Sequence, residues 1–503
     1  MVTGERVGRE DAEGDLPRGL RPDLTRVLQD SLLPTALPVL PGARLAARYA
    51  TAGSALSAGG DWYDAISLGD GRLALSVGDV VGSGPAAAAV MGQLRSALSA
   101  YLLAGMELAE VITRLGEFAR RVPGAAGATA CVAVLDPALG ELSYTSAAHP
   151  PIVRARPGAK AVFLPRAAGN PLALGDGDFE LRRALVEPGD LVVLYSDGAV
   201  DRSGRPPQRG AAGLLACAAE IAADQEATVD ACCDRLLGAL LPAGPPVDDL
   251  ALLLLRVREP HAPLNRTVPG RSDQLGVLRR ELRDWLAERE IDGEDALAVQ
   301  IAVGEATANA VEHAYTGSES GPVTLTAELD PAGTLLLSIT DAGSWRVPEE
   351  DPRGRGRGLL LMQAAMDSVR VRHSEAGTTV ELRRRLGAGP GREVEPGLDE
   401  LAVAIETGPD GPVVRLRGVV DSTTVDLLQP VLRRTGRGGA LELTVDLAQV
   451  GYLASAGVKM FFELAAEAAA AGGRLVLCAP PGTSAGYVAR LTGLDAYVEV
   501  RTR

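Results

Sequence analysis

Aromatic residues are scarce in this chain of 503 residues. Phe, Trp and Tyr together make up 3% of it, whereas hydrophobic residues as a class reach 46%. The cores must therefore be built mainly from aliphatic side chains, and a hydrophobic fraction of this size is normal for a globular protein. The length predicts roughly three domains at about 150 residues each.

Positive charge and long apolar runs are also in short supply. There are 50 Lys and Arg against 65 Asp and Glu, which gives a net charge of −15 and argues against binding to nucleic acid or an anionic membrane. No apolar run is long enough to span a bilayer, and the charged start MVTGERVGREDAEGD lacks the core of a secretory signal. We therefore expect a cytoplasmic protein with no membrane partner, no nucleic-acid partner and a disordered segment at residues 1–24.

Cysteine and histidine are too few and too scattered to suggest a nucleophile or a thiolate metal site. The five cysteines are odd in number, lack paired spacing and are typical of core residues in a reducing compartment. Of the four histidines, His149 lies in the loop sequence Ala-His-Pro-Pro, where it is either a phosphate contact or an ordinary loop residue. Candidate chemistry therefore falls on the carboxylates.

The stretch from Gly59 to Gly84 places two carboxylates around an apolar segment. Asp61 and Asp79 each follow a glycine, and the residues between 72 and 78 form an apolar run of strand length. Hard cations such as Mg²⁺ or Mn²⁺ prefer carboxylate oxygens, and glycines let the backbone turn tightly beside a ligand. The alternative at this point is a hairpin with Asp in its turns, where Asp is common.

Two further stretches favour a metal site. The apolar run from Leu191 ends abruptly in Asp197-Gly198, and Asp248-Asp249 directly precedes the apolar run from 250 to 257. An unpaired buried charge is costly, so acids at the ends of buried strands need compensation. Convergence on cations would supply it.

These motifs occur in the order GGDWYD, GDVVGSG, SAAHPP, GNPLALGD, LYSDG and DDLALLLL. Over residues 25–257 the chain resembles bacterial PPM-type serine/threonine phosphatases of the stage II sporulation protein E class. The resemblance implies a β-sandwich flanked by helices and hydrolysis of phosphoserine or phosphothreonine by two Mn²⁺ or Mg²⁺ ions. It further implies that Asp79 bridges both ions, and that one ion is completed by Asp61 and the Val80 carbonyl and the other by Asp197 and Asp248.

After a boundary predicted at Glu259 to Pro269, a second region begins. The predicted helix from Asp292 to Tyr315 carries Glu305, Asn309 and His313 on one face, since they are spaced at i, i+4 and i+8. A polar stripe of this kind is also what the solvated side of any helix looks like.

The order of motifs is more specific than the stripe. Glu305-x-x-x-Asn309 is followed by Asp341-x-Gly343 after a strand, by the glycine-rich stretch from 353 to 358, and by Gly377-Thr378-Thr379. Residues 265–387 thereby resemble the GHKL (Bergerat-fold) ATPases, and within them the anti-sigma-factor serine kinases. The resemblance implies an α/β sandwich that binds ATP with Mg²⁺.

The same resemblance implies a role for each matching residue. Glu305 would accept the proton of the substrate hydroxyl, Asn309 would bind Mg²⁺ and Asp341 would hydrogen-bond the adenine amino group. Other positions would shape the nucleotide pocket or close on the phosphates: Gly343, Thr378, Gly354, Gly356 and Gly358.

A second linker at Gly387 to Gly397 precedes a small alternating α/β unit over residues 398–503. Its sequence Tyr452-Leu-Ala-Ser455-Ala-Gly457, just before a helix predicted over Val458–Ala471, resembles the phosphorylation motif of STAS-domain anti-sigma-factor antagonists. Ser455 holds the position of the phosphorylated serine, whereas Ala454 replaces the usual acid. The alternative is that Ser455 is an ordinary helix N-cap.

Together the three resemblances imply a partner-switching module that combines a phosphatase, an opposing serine kinase and the protein on which both act. The implied partners are a phosphorylated STAS antagonist, in this chain or a separate one, and a sigma factor or anti-sigma kinase; a homodimer stays open. The competing hypothesis is a non-catalytic anti-sigma binding protein that holds ATP as a structural ligand.

Overall fold

The computed structural model describes residues 32–52, 59–175, 177–200, 207–241, 248–313, 321–343, 357–374, 376–388, 401–408 and 411–502. These residues fall into two compact units. The first contains the described residues of 32–35, 45–68 and 73–257, and the second those of 36–44, 69–72 and 258–502. The segment 1–24 lies outside the described residues.

The first half of the chain mixes strands and helices. Its strands are β1 (Leu37–Pro38), β2 (Ala43–Ala50), β3 (Trp62–Ser67), β4 (Leu73–Asp79), β5 (Thr129–Asp136), β6 (Glu141–Ala147), β7 (Val153–Ala155), β8 (Val162–Phe163), β9 (Arg182–Leu185), β10 (Leu191–Tyr195) and β11 (Leu250–Val257). Its helices are α1 (Pro85–Leu103), α2 (Leu108–Ala119), α3 (Pro207–Ala223) and α4 (Val229–Leu240).

The first unit is a sandwich of two sheets with helices outside. One sheet has the strand order β3–β4–β5–β6–β9 and the other β2–β11–β10–β7–β8. Strand β11 packs against β3 and β4, α1 and α2 cover the first sheet, and α3 and α4 cover the second. The β-sandwich flanked by helices that the sequence predicted is confirmed.

The central strands β10 and β11 are buried along their whole length, which explains their near-continuous apolar sequences. The exception is Arg256 in β11, which is fully buried. Its guanidinium donates hydrogen bonds to the carbonyl oxygens of Ala227 (2.9 Å) and Ile221 (3.3 Å), beside the carboxyl end of α3. A cation is favoured there because the carbonyls at the end of a helix carry partial negative charge.

The second half of the chain forms strands β12 (Leu264–Pro269), β13 (Pro322–Leu329), β14 (Thr334–Asp341), β15 (Ser368–Ser374), β16 (Gly377–Arg385), β17 (Gly387–Ala388), β18 (Ala402–Thr407), β19 (Pro412–Val420), β20 (Leu443–Leu453), β21 (Leu475–Cys478) and β22 (Glu499–Arg501). Its helices are α5 (Leu275–Ala287), α6 (Gly293–His313), α7 (Arg357–Ala365), α8 (Val425–Thr435), α9 (Ser455–Ala471) and α10 (Ser484–Thr492).

An antiparallel sheet of order β12–β13–β14–β16–β15 carries α5, α6 and α7 on one side. Within the stretch where a boundary was predicted, Glu259 to Pro269, residues Leu264–Pro269 form β12 and pair with β13 along their length. Three prolines suggested a break, but two of them lie before β12 and Pro269 ends it at the edge of the sheet, where a missing N–H is tolerated.

The carboxyl-terminal sheet has the order β18–β19–β20–β21–β22 and is parallel except for the pair β18–β19. Strand β20 continues to Leu453, and helix α9 begins at Ser455 rather than at the predicted Val458. Elsewhere in the second unit, β1 pairs with β17, so residues before the first sandwich hydrogen-bond with residues that follow β16.

In the part of the chain that is described, we find no helix with the length and apolar character needed to cross a membrane.

Candidate functional sites

Four of the predicted metal-binding acids lie at matching strand ends of the sandwich. Strands β3 and β4 pair antiparallel with Trp62 opposite Gly78, so Asp61 before β3 and Asp79 at the end of β4 share one edge. Strands β10 and β11 pair with Tyr195 opposite Leu252, which brings the end of β10 and the start of β11 to one edge as well. Asp197 and Asp248 extend from that edge.

Glycines beside these acids are required by close packing. The Trp62 ring lies against Gly78, so a side chain at 78 would overlap the indole. Gly60 accepts a hydrogen bond from Val80 N–H through its carbonyl oxygen (3.2 Å), and a side chain at Gly60 would overlap the Val80 carbonyl. This hydrogen bond and the close packing therefore restrict the backbone conformation at the predicted ligand Val80.

The charges of the cluster act on one another. Burial and the neighbouring charge of Asp197 raise the pKa of Asp79 to about 6, with Asp248 adding to the effect. Burial and the charge of Asp79 also raise the pKa of Asp61, which is 2% exposed. Such shifts arise when carboxylates are crowded together without a compensating cation.

The Asp61 carboxylate also has an unsatisfied oxygen. Oδ2 of Asp61 is buried and has no hydrogen-bond partner among the described residues. A divalent cation would satisfy this oxygen and offset the repulsion between the carboxylates, so the donor set fits Mn²⁺ or Mg²⁺. In the described residues, no three Asp, Glu, His or Cys side chains converge closely enough to form a metal-ligand group as they stand.

Asp248 and Asp249 have different environments. Asp249 is buried and accepts hydrogen bonds from the backbone N–H groups of Ala52 (2.8 Å) and Gly60 (3.2 Å). Asp248 is exposed, and its charge adds to the field that raises the pKa of Asp79. The geometry thus supports Asp248 as a candidate ligand and gives Asp249 the role of fixing the glycine turn before Asp61.

We therefore expect Asp248→Asn and Asp249→Asn to fail in different ways. Asp248→Asn should lower metal-dependent phosphate release by about 100-fold and leave the unfolding midpoint unchanged, because it removes a ligand. Asp249→Asn should lower stability by about 1–3 kcal/mol, because a buried backbone amide loses its charged acceptor. Thermal unfolding and metal titration calorimetry of both variants would check this. Lost metal binding with unchanged stability in Asp249→Asn would instead make Asp249 the ligand.

The structure favours the ordinary loop role for His149. The ring is buried, Nε2 lies 3.1 Å from the carbonyl oxygen of Tyr195, and Nδ1 lies 2.7 Å from Oγ1 of Thr129. Because a carbonyl can only accept, Nε2 carries the proton, and burial lowers the pKa of His149 to about 3. His149 is therefore neutral and stabilises the end of β10 through its hydrogen bond to the Tyr195 carbonyl.

Ser196 is a residue whose role the sequence analysis missed. It is fully buried, its Oγ accepts the N–H of Ala251 (2.8 Å), and its hydrogen bond to Asp61 opposes the rise in the pKa of that carboxyl. It thereby connects the end of β10 to both β11 and Asp61. Its place directly before Asp197 in the motif LYSDG was the available signal.

In the second unit, the structure brings Asp341, Gly343 and Thr378 together. Oδ1 of the buried Asp341 accepts the backbone N–H groups of Gly343 (2.9 Å) and Thr378 (3.4 Å). Gly377 between β15 and Thr378 has φ +133°, and a side chain there would overlap the Asp341 carbonyl. These contacts fix the Asp341 carboxylate beside a small-residue turn.

Glu305 and Asn309 lie one turn apart on α6 and face the start of α7. A Cβ at Gly358 would lie 2.7 Å from Oε2 of Glu305 and 3.7 Å from Nδ2 of Asn309, so a side chain there would require the Glu305 carboxylate to shift. Gly354 and Gly356 lie outside the described residues, and so does the side chain of His313. Burial raises the pKa of Glu305, which makes its carboxylate a stronger proton acceptor.

Ser455 lies directly on Glu305. Its Oγ donates to Oε2 of Glu305 (2.7 Å), and its backbone N–H donates to Oε1 (2.8 Å). The alternative that Ser455 is the N-cap of α9 was wrong, because Ala454 occupies the N-cap and has no side chain to cap with. Instead of a capping side chain, the Glu305 carboxylate accepts the Ser455 N–H in the first turn of α9.

Comparison with known proteins identifies three consecutive domains in the chain. Family models match in the order Stage II sporulation protein E (SpoIIE) at residues 69–258, histidine kinase-like ATPase domain at 268–384, and MlaB-type STAS domain at 403–500. The chain is 27% identical over 133 residues to serine-protein kinase RsbW of Bacillus licheniformis, a match that covers 24% of this chain and 82% of that protein. It is 27% identical over 208 residues to protein IcfG of Synechocystis sp., covering 35% of this chain and 32% of IcfG, so it spans about a third of that relative.

A solved structure matches more of the chain. The crystal structure of the RsbU and RsbW domains of Rv1364c from Mycobacterium tuberculosis is 37% identical, with a TM-score of 0.64. The match covers 72% of this chain and 98% of that one. This chain therefore belongs to the family of multidomain RsbU–RsbW proteins, and it carries a SpoIIE-type phosphatase domain, a histidine kinase-like ATPase domain and a STAS domain in that order.

Proposed function

We propose that this chain is a metal-dependent protein serine/threonine phosphatase that acts on a phosphoserine of a STAS-type antagonist within a partner-switching regulator. The observation that carries the phosphatase is the set of crowded carboxylates at the strand ends of the SpoIIE-type domain, where the pKa of Asp79 is raised and one Asp61 oxygen lacks a partner. Asp61, Asp79, Asp197, Asp248 and the Val80 carbonyl would hold two Mn²⁺ or Mg²⁺ ions. When bound, such ions lower the pKa of water and offset charge on a phosphoryl group.

The protein's own residues prepare this site. Asp79 would help to hold the ions, because its carboxylate lies in the fields of Asp61 and Asp197. Ser196 orients Asp61, and the Asp249 carboxylate fixes the turn at Gly60 by accepting the Gly60 backbone N–H. The buried strands β10 and β11 hold these groups on a rigid edge, so the carboxylates need little rearrangement to accept cations.

A second activity, serine kinase, is favoured by the contact between Ser455 and Glu305. Glu305 would accept the Ser455 hydroxyl proton as Oγ bonds to the γ-phosphorus of ATP and the bond to ADP breaks. Asn309 would bind the Mg²⁺ of ATP, Asp341, Gly343 and Thr378 would hold adenine, and Gly354, Gly356 and Gly358 would close on the phosphates. Ser455 is then both the kinase acceptor and, once phosphorylated, a substrate of the phosphatase.

Phosphate on Ser455 would also change the contact between the two domains. It would place nearly two negative charges against the Glu305 carboxylate, which repels them and loses its two hydrogen bonds. The released ATPase domain would be open to a separate STAS antagonist or to a sigma factor, the partners we propose from the resemblance to anti-sigma-factor kinases.

The test is to incubate the full chain carrying Asp79→Asn, which silences the phosphatase, with Mg-ATP and to locate phosphate by peptide mass spectrometry. We expect phosphate on Ser455, and its removal after wild-type protein and Mn²⁺ are added. Ser455→Ala is the matched control and should take up none. Phosphate at the same level in Ser455→Ala would contradict the internal substrate. Sigma-factor capture with no phosphate transfer at all would favour the non-catalytic binding protein.

A further inference from the structure

Beside the Ser455 contact, the side chain of Tyr452 fits against a glycine of the ATPase domain. Tyr452 lies near the end of β20 and is 6% exposed. Its phenol lies over Gly304, the residue that precedes Glu305 on α6, and a Cβ built at Gly304 would overlap the Tyr452 hydroxyl oxygen and ring. A glycine in the middle of a helix lowers helix stability. The space that Gly304 leaves for the Tyr452 phenol gives a physical reason why glycine occurs at this position.

Arg279 of α5 also contacts the Tyr452 ring. The Arg279 guanidinium lies 5.2 Å from the centroid of the Tyr452 ring, and its Nη1 donates to Oδ2 of Asp421 at 2.6 Å. Asp421 is itself fixed, because Oδ1 accepts the N–H and the hydroxyl of Thr423 at 2.9 and 2.6 Å. A partly desolvated cation over an aromatic ring stabilises that ring's position as well as its burial.

This fit determines where Ser455 lies. Only two residues separate Tyr452 from Ser455, and the Ala454 N–H between them is bonded to the Val420 carbonyl (2.8 Å). A ring that could not enter beside Gly304 would therefore lift Ser455 away from Glu305. Burial and the Glu305 charge raise the pKa of the Tyr452 phenol, so it stays neutral and adds no charge beside that carboxylate.

We propose that Gly304 and Tyr452 form a positioning pair that seats the STAS domain on the ATPase domain and holds Ser455 at Glu305. Any separate STAS domain that docks at this surface should carry an aromatic ring three residues before its acceptor serine. The effect of the pair on phosphate transfer rests on the proposed kinase roles of Glu305 and Ser455. Its effect on the docking of the STAS domain does not depend on those roles.

The test uses the full chain carrying Gly304→Ala. Overpacking a buried contact should loosen it about 10-fold to 100-fold, so hydrogen exchange at the first turn of α9 should accelerate by that factor. Phosphate uptake on Ser455 should fall in parallel, while ATP affinity stays within about twofold of wild type. The matched control is Gly276→Ala on α5, where the new Cβ would meet only Nη1 of Arg280 at an ordinary 3.7 Å.

A rescue separates positioning from general damage. Adding Tyr452→Leu to Gly304→Ala shortens the group that the new methyl would meet, so α9 protection should return at least in part. Wild-type exchange in Gly304→Ala, or no gain in the double variant, would overturn the proposal. If wild type takes up no phosphate but Gly304→Ala still opens α9, the proposed kinase function fails and the positioning pair stands.

Discussion

Asp79→Asn should reduce Mn²⁺-dependent hydrolysis of a phosphoserine peptide by at least about 100-fold, because it removes the predicted bridging ligand. The same change should stabilise the metal-free protein at pH 8. The pKa of Asp79 is raised to about 6 in the folded state, whereas an unfolded Asp titrates near 4, so its charge opposes folding. This penalty develops as the pH rises from about 4 to about 6 and persists above, so the stabilisation should vanish near pH 4.

Phosphate release in the presence of Mn²⁺ measures the effect on activity. Thermal unfolding of the metal-free protein at pH 4 and pH 8 measures the effect on stability. Asp224→Asn is a suitable control, because Asp224 is an acid of the same domain paired with Arg235 on the surface. Its activity should match wild type. Retained activity in Asp79→Asn would remove Asp79 from the metal site, and a loss of stability at pH 8 would show that it is held by interactions other than the crowded carboxylates.

Glu305→Gln should abolish phosphate transfer to Ser455 while leaving the domains docked. General-base catalysis is worth about 10²–10⁴-fold in rate, and an amide cannot take up the hydroxyl proton. The glutamine oxygen can still accept the Ser455 N–H, so α9 should keep its protection from hydrogen exchange. Single-turnover phosphate uptake from Mg-ATP, with nucleotide affinity measured in parallel, would check this.

Glu312→Gln on the same helix is the control, since Glu312 is exposed and contributes only its charge at Glu305. It should transfer phosphate nearly as wild type does. In the active protein the rate should fall on acidification at a higher pH than for an ordinary glutamate, because burial raises the pKa of Glu305. Transfer at the wild-type rate by Glu305→Gln would mean that another group accepts the proton.

The parts of the fold that were predictable are those with a strong local signal. Strands β10 and β11 have the predicted bounds, because continuous apolar runs between turn residues leave little choice. Strand β3 was not predicted, since its sequence Trp-Tyr-Asp-Ala-Ile-Ser mixes burial with polarity and its pairing with β4 is what defines it. Helix α9 was predicted to begin three residues late, because its first residue, Ser455, bonds to the Glu305 carboxylate on another helix.

The candidate sites divide in the same way. The motifs identified the acids of the sandwich and the Asp341 turn. The structure places the acids at strand ends where their charges interact, and it joins Asp341 to Gly343 and Thr378, whereas the roles of these residues stay predictions. Local sequence could not separate the environments of Asp248 and Asp249, because the amides that hold Asp249 come from residues more than 180 positions away. The contact of Ser455 with Glu305 spans 150 positions. The positioning pair Gly304 and Tyr452 matches no sequence motif that could have predicted it.

The pairing of β1 with β17 makes the phosphatase an insertion in the chain path of the second unit. Residues 36–44 and 69–72 belong to that unit, and the chain rejoins it for good at Arg258, where Arg258 N–H bonds to the Gly42 carbonyl (2.9 Å). A fragment cut at residue 257 would lose β1, the partner of β17, and the buried Arg44. An ATPase–STAS protein that keeps β1 should instead be obtained by excising residues 45–257, which also removes the short segment 69–72 of this unit, and joining the two ends with a short glycine linker.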